Sequence, residues 1–403
     1  MLTVVHHIAG FLGVGLSAAT AAYLVLACWS VRRFSVSRAN TVGQVGSLPG
    51  LSVLKPLCGS EPDLAYNLQT LFAQTYSGPL QIIFGVQSPD DPALKTVRTL
   101  VDRFPGRDVK IVIDDRSHGP NRKASNLVNM AAGAKYDLLA VSDSDVALGA
   151  CDLAAAAALL MDPDVGAVTC LYRSSFTGRP GLAAQLGGLY IDQWILPSAV
   201  VAATLGPLKE CYGPLTIIRG AVLQAGGGFL RLSRLLADDY ELGQLTVRQG
   251  LRVVLGPSII PTSCGEATLT QLLTRELRWG RTTRATEPMA YALAVITWPA
   301  PFLLPLLLFS GQPWLAPVVL TGLTGLRCLL AILIERRLGP SASRTPYFPL
   351  LLFLRETLCG AVWAASFFGS QIRWRGYSFR VLQGGQLFYM GDCGAEVCPE
   401  VIQ

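Results

Sequence analysis

Two aspartates stand at the end of a short apolar run in the middle of the chain. Asp143 and Asp145 follow residues 138–141, whose sequence Leu-Leu-Ala-Val is typical of a buried β-strand. On an extended backbone, residues two apart point to the same side of the strand. Two carboxylates in that arrangement suit Mg²⁺ or Mn²⁺, and such a cation can in turn hold a diphosphate. Taken alone, Asp-Ser-Asp is more often a solvated turn, so the metal hypothesis depends on the other motifs of the chain.

A second acidic group opens a predicted helix over residues 236–249. Asp238, Asp239 and Glu241 all fall at its start. Acidic side chains there complement the positive end of the helix dipole, which accounts for Asp238 and Glu241. The dipole does not account for the clustering of three acids, so a functional role for this group stays a hypothesis.

An unusually basic helix is predicted over residues 271–284. Trp279 interrupts a series of four arginines repeated at a spacing of three, namely Arg275, Arg278, Arg281 and Arg284. A guanidinium group binds phosphate oxygens through a two-pronged fork, so this face suits a diphosphate clamp. A face turned to water or to lipid headgroups has the same composition, and Trp279 is then an interface anchor.

The elements that must position these residues alternate between short apolar strands and longer helical segments. The pattern predicts strands at 52–57, 80–86, 109–113 and 138–141, with helices at 63–74, 92–104 and 124–134. Such alternation is typical of parallel βαβ units around a largely buried sheet. Ligands bind such sheets beyond the carboxyl ends of the strands. Residues with suitable side chains follow three of the strands there: Asp90, Asp91, Asn121, Lys123, Asp143 and Asp145.

Known nucleotide-binding loops are missing from this pattern. The sequence has no G-x-G-x-x-G after its first strand and no G-x-x-x-x-G-K-[ST] anywhere. These absences argue against a Rossmann dehydrogenase and a P-loop NTPase. With only three histidines, a histidine-based zinc site or a Ser-His-Asp triad is poorly supported. The ten cysteines form no C-x-x-C, which favours free thiols in a reducing compartment.

Composition places part of the chain in lipid. Only 15% of the 403 residues are charged, against about 25% in soluble domains. Membrane spans are predicted at 8–29, 289–309 and 314–334. A fourth run at 348–368 contains Arg355-Glu356, so its crossing stays open, and the weaker stretch 182–205 is expected at the membrane face.

The charges that flank the first span set the expected orientation. Arg32 and Arg33 follow it directly, and the positive-inside rule then puts the N-terminus outside and the next domain in the cytosol. The predicted domains are an N-terminal membrane helix (1–32), a linker (33–50), a catalytic domain (51–288), C-terminal membrane helices (289–370) and a tail (371–403). The net charge of +6 includes no polybasic run, so no nucleic-acid partner is indicated.

The motifs, taken in order, resemble the ceramide glucosyltransferase family of membrane-bound GT-A enzymes in glycosyltransferase families 2 and 21. That family carries three separated aspartates followed by a (Q/R)-x-x-R-W motif. The matching positions are Asp91, Asp143, Asp239 and Arg275-Glu276-Leu277-Arg278-Trp279. The segments 52–57 and 121–127 are also similar. Within the family, the complete Asp-Ser-Asp and the Asn-Arg-Lys-x-Ser-Asn-Leu block resemble the bacterial hopanoid-biosynthesis glycosyltransferases most.

The resemblance implies an α/β fold, a GT-A nucleotide-diphospho-sugar transferase domain with a Rossmann-like mixed sheet flanked by transmembrane helices. It implies an inverting hexosyltransferase that moves glucose or N-acetylglucosamine from a UDP-sugar to a lipid hydroxyl, on ceramide or a hopanoid polyol. The expected cofactor is Mg²⁺ or Mn²⁺. The expected partners are the UDP-sugar, the lipid acceptor and the bilayer, with the catalytic domain cytosolic and a bacterial inner membrane as the location.

The same resemblance implies roles for individual residues. Asp239 is expected to be the general base, and Asp145 the metal ligand, with Asp143 on the metal or the nucleotide-sugar. Arg278 and Arg275 are expected at the diphosphate, and Trp279 at the acceptor or sugar. Lys55 and Asp91 are expected at the uracil and ribose, and Asn121 and Lys123 at the uridine or phosphate. For Asn121 and Lys123 the alternative is a helix-start loop.

Two other functions are compatible with these motifs. A processive polysaccharide synthase of the same fold needs more spans and typically has Gln in place of Arg275. A non-enzymatic membrane protein that senses nucleotide-sugars needs the binding site but no general base. The sequence alone does not specify which sugar or which lipid is used.

Overall fold

The computed structural model describes residues 2–34, 47–61, 63–340 and 348–392. Its backbone contacts group the chain into two compact units, each assembled from separated segments. The first, here called the helical unit, comprises 1–35, 180–204 and 266–373. The second, the sheet unit, comprises 36–179, 205–265 and 374–403. Residues 180–204 and 266–288 therefore group with the apolar helices and not with the sheet.

The strands, in chain order, are β1 (Leu51–Pro56), β2 (Leu80–Val86), β3 (Asp108–Ile113), β4 (Leu138–Ser142), β5 (Val165–Ser175), β6 (Leu215–Arg219), β7 (Arg252–Ser263), β8 (Gln371–Trp374), β9 (Tyr377–Val381) and β10 (Leu387–Asp392). The first seven form one sheet in the order β3-β2-β1-β4-β6-β5-β7. β1 pairs in parallel with β2 and β4, whereas β6 runs antiparallel to β4 and β5. The sheet is therefore mixed, as predicted.

The helices, in chain order, are α1 (Leu2–Arg33), α2 (Leu64–Phe72), α3 (Ala93–Arg103), α4 (Arg122–Ala131), α5 (Asp152–Leu159), α6 (Leu182–Tyr190), α7 (Leu196–Leu205), α8 (Gly220–Ala225), α9 (Gly228–Leu232), α10 (Asp238–Arg248), α11 (Leu269–Thr286), α12 (Pro288–Leu293), α13 (Ala300–Leu308), α14 (Leu315–Leu338) and α15 (Phe348–Ser366). A π-helical turn (Ile191–Ile195) joins α6 to α7, and a 3₁₀ turn (Ala294–Thr297) follows α12.

The core of the sheet unit lies where α2 and α3 pack on the sheet. β1 is buried along its whole length, as a central strand covered on both faces must be. α2 contributes Leu64, Leu68 and Leu71, whose spacing places them on one helical face. Phe72 stacks on Phe84 of β2 with ring centroids 5.8 Å apart. Burial of each such side chain contributes about 1.5–3 kcal/mol, which fixes the strands whose ends carry the polar groups.

Strand pairing brings three chain segments together at one edge of the sheet. Leu54 of β1 is in register with Val141 of β4, so Lys55 lies beside the residues that follow β4. On the other side of β4, Ser142 pairs with Leu215 at the start of β6. The Asp143 N–H donates to the Pro214 carbonyl at 3.2 Å, which places Gly213 next to Asp143.

The predicted fold class is confirmed, with differences in detail. The four predicted strands are present in this sheet, and the apolar run 166–171, which also predicts a strand, lies within β5 (Val165–Ser175). β6 and β7 were not predicted. β6 has the same length as β4, but its sequence Leu-Thr-Ile-Ile-Arg is interrupted by Thr216 and lacks the unbroken apolar run that identified β4.

The helical unit contains the apolar segments. Among the described residues, four helices are long and apolar enough to cross a membrane, including α14 and α15, and a bent pair is a fifth candidate. That pair, Pro288–Thr297 and Ala300–Leu308, turns through 66° where one straight span was predicted. Pro299 and Pro301 stand at the break, and proline has no N–H with which to continue a helix. One of these four candidates is the stretch 182–205, in which 72% of an 18-residue window is buried within the protein.

The two charged side chains within α15, Arg355 and Glu356, both bind other groups of the protein. Arg355 is fully buried and donates to both carboxylate oxygens of Glu276 on α11, at 2.7 and 2.6 Å. Glu356 accepts the Ala300 N–H at 3.0 Å. Pairing of this kind is how ionisable groups are accommodated in apolar helices.

Candidate active site

The first polar group of the sheet unit lies beyond β1 and β4. Lys55 is fully buried, and its Nζ donates to Ser142 Oγ at 3.1 Å and to the Asp143 carbonyl. Burial lowers the pKa of Lys55 to about 8, and the nearby carboxylates of Asp145, Asp143 and Glu61 oppose that shift. Lys55 therefore holds the loop that carries both aspartates of the Asp-Ser-Asp segment.

Asp145 faces other carboxylates across this loop. Burial, then Asp143 and Glu61, raise the pKa of Asp145 to about 7, against the opposing charge of Lys55. Ser144 Oγ donates to Glu61 Oε1 at 2.9 Å, while the buried Oε2 has no hydrogen-bond partner within the described residues. A cation beside these oxygens would relieve their repulsion, because hard carboxylate oxygens are the ligands of Mg²⁺ and Mn²⁺.

The donor set of this site is nevertheless incomplete. Across the described part of the chain, no group of three or more His, Cys, Asp or Glu side chains is arranged to hold a metal ion. Mg²⁺ is commonly bound by one or two carboxylates together with substrate phosphates and water. The residues present fit a cation of that kind, shared with a diphosphate, and do not form a closed metal cage.

The second polar group joins the start of α10 to the Asp-Ser-Asp loop. Lys123 Nζ lies 2.7 Å from Asp143 Oδ1 and 3.0 Å from Asp238 Oδ2. Burial alone would lower the pKa of Lys123, but Asp143 and Asp238 outweigh it and raise the pKa. Burial, then the neighbouring Asp238, raise the pKa of Asp239 to about 7, with Lys123 acting in the opposite direction. Asp239 is therefore poised to exchange a proton near neutral pH.

Gly213, which has no side chain, lies next to the carboxylates of both Asp143 and Asp239. A Cβ at Gly213 would lie 3.2 Å from Asp239 Oδ2 and 3.4 Å from Asp143 Oδ2. Both oxygens therefore border the space over one backbone position. The space is therefore bordered by Asp239, which can act as a base, and by the Asp143–Asp145 loop, which suits a cation. Group transfer requires a base and a site for positive charge close together.

The motif residues of α11 lie in the helical unit. The Arg275 guanidinium is ion-paired with Glu266 and lies 4.7 Å from the centroid of the Trp279 ring. Trp279 also stacks on Tyr190, with ring centroids 6.2 Å apart. Glu276, between the two motif arginines, binds Arg355 as described above. The motif thus presents an arginine held against an aromatic surface, and the diphosphate and acceptor roles of Arg275, Arg278 and Trp279 stay predictions.

Comparison with known proteins identifies the family. The family model described as glycosyl transferase family 21 matches residues 14–387. The chain belongs to glycosyl transferase family 21. This membership confirms the predicted resemblance to ceramide glucosyltransferases and shows that the chain is a glycosyltransferase by family.

Relatives of this family 21 chain include ceramide glucosyltransferase 1 of Caenorhabditis elegans, 23% identical over 350 residues that cover 85% of this chain and 73% of the relative. An N-acetylglucosaminyltransferase of Rhizobium meliloti is 23% identical over 325 residues, covering 72% of this chain and 74% of the relative. A similar solved structure is the mannosyltransferase PcManGT of Pyrobaculum calidifontis, with a TM-score of 0.47 and 16% identity over 87% of this chain and 97% of that one.

Two residues that are predicted to contact the nucleotide also hold the local backbone. Asn121 is the N-cap of α4: its Oδ1 accepts the Ala124 N–H at 3.0 Å, and its Nδ2 donates to the Leu235 carbonyl at 2.8 Å. Asp91 accepts the N–H groups of Gly59 at 3.1 Å and Ala93 at 2.9 Å. Contact of either residue with uridine or ribose stays a prediction.

Three residues of the site were not identified by sequence reasoning. Asp238 was treated as a dipole partner, although it binds Lys123. Gly213 precedes a strand that periodicity did not find. Glu61 is a lone acid in a loop, without a motif of its own, and its role depends on pairing with Ser144 and, at 3.4 Å, with Arg375 of the C-terminal segment.

Gly213→Val is expected to reduce transfer on the order of 100-fold, because the new side chain occupies the space that Asp143 and Asp239 border. The melting temperature is expected to change little, since the space is not part of the packed core. Initial rates and thermal unfolding check this. Gly206→Val is the matched control, because a Cβ at Gly206 meets no atom within 4 Å. Equal activity of both variants would show that reactants do not pass between the two carboxylates.

Proposed function

We propose that this family 21 chain transfers a hexosyl group from a UDP-sugar to the hydroxyl of a membrane lipid, with inversion at the anomeric carbon. The observation that carries the proposal is the pair of carboxylates on either side of Gly213, one with a pKa near neutrality and one on a loop suited to a cation. A chain with apolar helices and this site can combine a lipid-borne hydroxyl with a water-soluble donor.

Asp239 is the general base in this proposal. Its carboxylate takes the proton of the lipid hydroxyl as that oxygen attacks the anomeric carbon. The new carbon–oxygen bond forms while the bond to the UDP oxygen breaks, and UDP leaves with the bonding electrons. The ion pair between Lys123 and Asp238 holds the start of α10, and with it Asp239, in place. The positive charge of Lys123 also reduces the repulsion between the negative charges of Asp239 and Asp143.

Departure of UDP requires positive charge at the diphosphate. Asp145 with Asp143 would hold Mg²⁺ or Mn²⁺, and the positive charge of that ion would stabilise the leaving diphosphate. We assign the remaining charge stabilisation to Arg278 and Arg275, and the acceptor or sugar surface to Trp279. Lys55 keeps the loop of Asp143 in position, and Asp91 orders the backbone at the proposed uridine end.

The names of the relatives suggest the substrates. One is a ceramide glucosyltransferase and another an N-acetylglucosaminyltransferase, so glucose and N-acetylglucosamine are the donors to test. Ceramide and a hopanoid polyol are the proposed acceptors. The arginines that end α1 and α14 favour a cytosolic catalytic face, which matches the location of UDP-sugars, and we propose a bacterial inner membrane.

The rate of transfer is expected to fall on the acidic side of neutrality. A general base acts only when ionised, and the raised pKa of Asp239, about 7 against an ordinary 3.8, places its protonation in that range. kcat/KM for the acceptor should therefore plateau above about pH 8 and fall tenfold per unit well below pH 7. A profile measured from pH 5 to 9 checks this. A flat profile down to pH 5 would mean that the base is not this carboxylate.

The experiment that tests the proposed activity measures UDP release from the purified protein. UDP-glucose and UDP-N-acetylglucosamine are offered separately with Mn²⁺, with and without a lipid acceptor in detergent. Release that depends on the lipid supports transfer. Release that is the same without lipid would indicate hydrolysis only, and absence of release with the folded protein would favour a non-enzymatic sensor.

A further inference from the structure

A cavity lies among the apolar helices of the helical unit. Side chains of α1, α13, α14 and α15 line it, and it contains about 640 Å³ of space including its open mouth. Water-sized spheres can be centred in about 70 Å³ of it, which leaves room for a small polar group. Its walls are mainly apolar, with Leu24, Leu303, Leu320 and Leu323 among them. Neither the proposed chemistry nor the family motifs use this cavity.

One wall of the cavity carries an arginine with unused hydrogen-bonding capacity. Arg327 of α14 is only 6% exposed, and its Nη2 donates to the Gln193 carbonyl at 2.8 Å. Its guanidinium lies 3.8 Å from the centroid of the Trp194 ring. Its Nε and Nη1 have no hydrogen-bond partner in the part of the chain that the structure describes. A buried donor left without a partner costs free energy, and more so when it is charged, so these two groups favour an acceptor supplied from outside the protein.

Two further polar side chains line the same cavity. Thr20 of α1 is 1% exposed, and its Oγ1 has no partner within the described residues. Glu356 of α15 also lines the cavity, and its carboxylate accepts the Ala300 N–H at the break between the bent helices. The cavity therefore offers cationic donors, a hydroxyl and a carboxylate at one site, surrounded by apolar walls.

We propose that this cavity binds the polar end of a neutral membrane lipid that carries hydroxyl and amide groups, the class to which the acceptor belongs. Oxygens of the lipid accept hydrogen bonds from Arg327, its hydroxyl or amide hydrogen is donated to Glu356, and Thr20 pairs with either. The hydrocarbon chains lie against the leucines of the walls. That the bound lipid is the acceptor rests on the proposed function, whereas binding itself does not.

The charge of the site selects a neutral lipid over an anionic one. Arg327 and Glu356 line one cavity, so their formal charges cancel there. A phosphate or carboxylate headgroup would meet Glu356 as well as Arg327, and like charges within apolar surroundings repel strongly. A lipid with both donors and acceptors satisfies the two side chains together. The apolar walls, on helices apolar enough to cross a membrane, favour an occupant whose hydrocarbon part partitions into lipid.

Photocrosslinking tests this proposal without depending on turnover. The full-length protein in nanodiscs of phosphatidylcholine is exposed to a ceramide with a diazirine in its acyl chain, and crosslinked peptides are located by mass spectrometry. Crosslinks are expected on the cavity-lining segments of α1 and α14. Arg327→Met is expected to reduce them at least tenfold, and Leu323→Trp, which fills the cavity, by a similar factor. Arg336→Gln, in the exposed last turn of α14, is the matched control and should leave them unchanged.

Thr20→Val keeps the shape of the side chain, so this variant tests the site even if Arg327→Met does not fold. Because the lipid pairs with the Thr20 hydroxyl, Thr20→Val should raise KM for the acceptor about fivefold while kcat and KM for the UDP-sugar stay unchanged. Competition by phosphatidylglycerol as strong as by unlabelled ceramide would overturn the choice of a neutral lipid. Crosslinks that persist in Leu323→Trp, or that fall outside the cavity, would overturn the site.

The two proposals fail separately in this experiment. Crosslinking in the cavity without formation of a glycolipid would leave the lipid site standing and contradict the proposed activity. Formation of a glycolipid with crosslinks elsewhere would leave the activity standing and contradict this site.

Discussion

Asp239→Asn is expected to reduce sugar transfer about 1,000-fold or more while UDP binding changes by no more than about twofold. Asn keeps the shape of the side chain but cannot accept the proton of the acceptor hydroxyl, and general-base catalysis is worth about 10²–10⁴ in rate. The substitution removes the carboxylate, whose raised pKa suits it to accept a proton near neutral pH. Initial rates at pH 8, together with UDP affinity by isothermal titration calorimetry, measure both quantities.

The matched control for this substitution is Asp102→Asn, an exposed aspartate on α3. It should retain the full rate and the full affinity. A rate for Asp239→Asn within tenfold of the native protein would assign the base to another group. An unchanged biological output from Asp239→Asn would favour the non-enzymatic sensor, since recognition of a nucleotide-sugar depends on shape and not on a base.

Lys123→Met is expected to weaken both the fold and the catalysis. Lys123 bridges Asp143 and Asp238 and opposes the raised pKa of Asp239. Loss of one partner from a buried ion pair costs about 3 kcal/mol, and this pair is partly exposed, so that figure is an upper estimate. The pKa of Asp239 should rise further without the ammonium group, which moves the acidic limb of the rate profile to higher pH.

The sign of the pH effect on stability follows from the same charges. In Lys123→Met the facing carboxylates repel when ionised, and protonation of Asp239 at low pH removes part of that repulsion. The loss of melting temperature should therefore be larger at pH 8 than at pH 5.5. Lys123→Arg retains the charge and should recover most of the stability, and Lys95→Met, at an exposed position on α3, is the control. Equal melting temperatures for Lys123→Met and the native protein at pH 8 would contradict the role of the bridge.

Sequence periodicity was sufficient for the part of the fold that depends on local patterns. The strands before Asp143 are apolar runs separated by amphipathic helices, so their positions and the edge where their ends meet could be predicted. The juxtaposition of Asp143 and Asp239 at Gly213 could not, because it depends on β6 running antiparallel to β4, and no local pattern encodes that pairing. The family motif nevertheless selected both aspartates.

Other differences have local physical causes. Asn121 and Asp91 have side chains short enough to bind nearby backbone N–H groups, so a motif position can hold the backbone as readily as a ligand. The break at Pro299 reflects missing N–H groups, which a hydropathy pattern does not register. The partners of Arg327 and Arg355 come from distant segments, so burial of these charges could be expected from the sequence but their contacts could not.

The most direct test of the central claim is identification of the reaction product. Purified protein in detergent with Mn²⁺ is incubated with UDP-glucose or UDP-N-acetylglucosamine and with ceramide or bacteriohopanetetrol, and the lipid fraction is analysed by mass spectrometry and by NMR of the anomeric proton. We expect a lipid one hexosyl unit heavier, with the β configuration that inversion of the α-linked donor produces, and none from Asp239→Asn. A polymer of many sugar units, or folded protein that binds UDP but forms no glycolipid from any pairing, would contradict the proposed function.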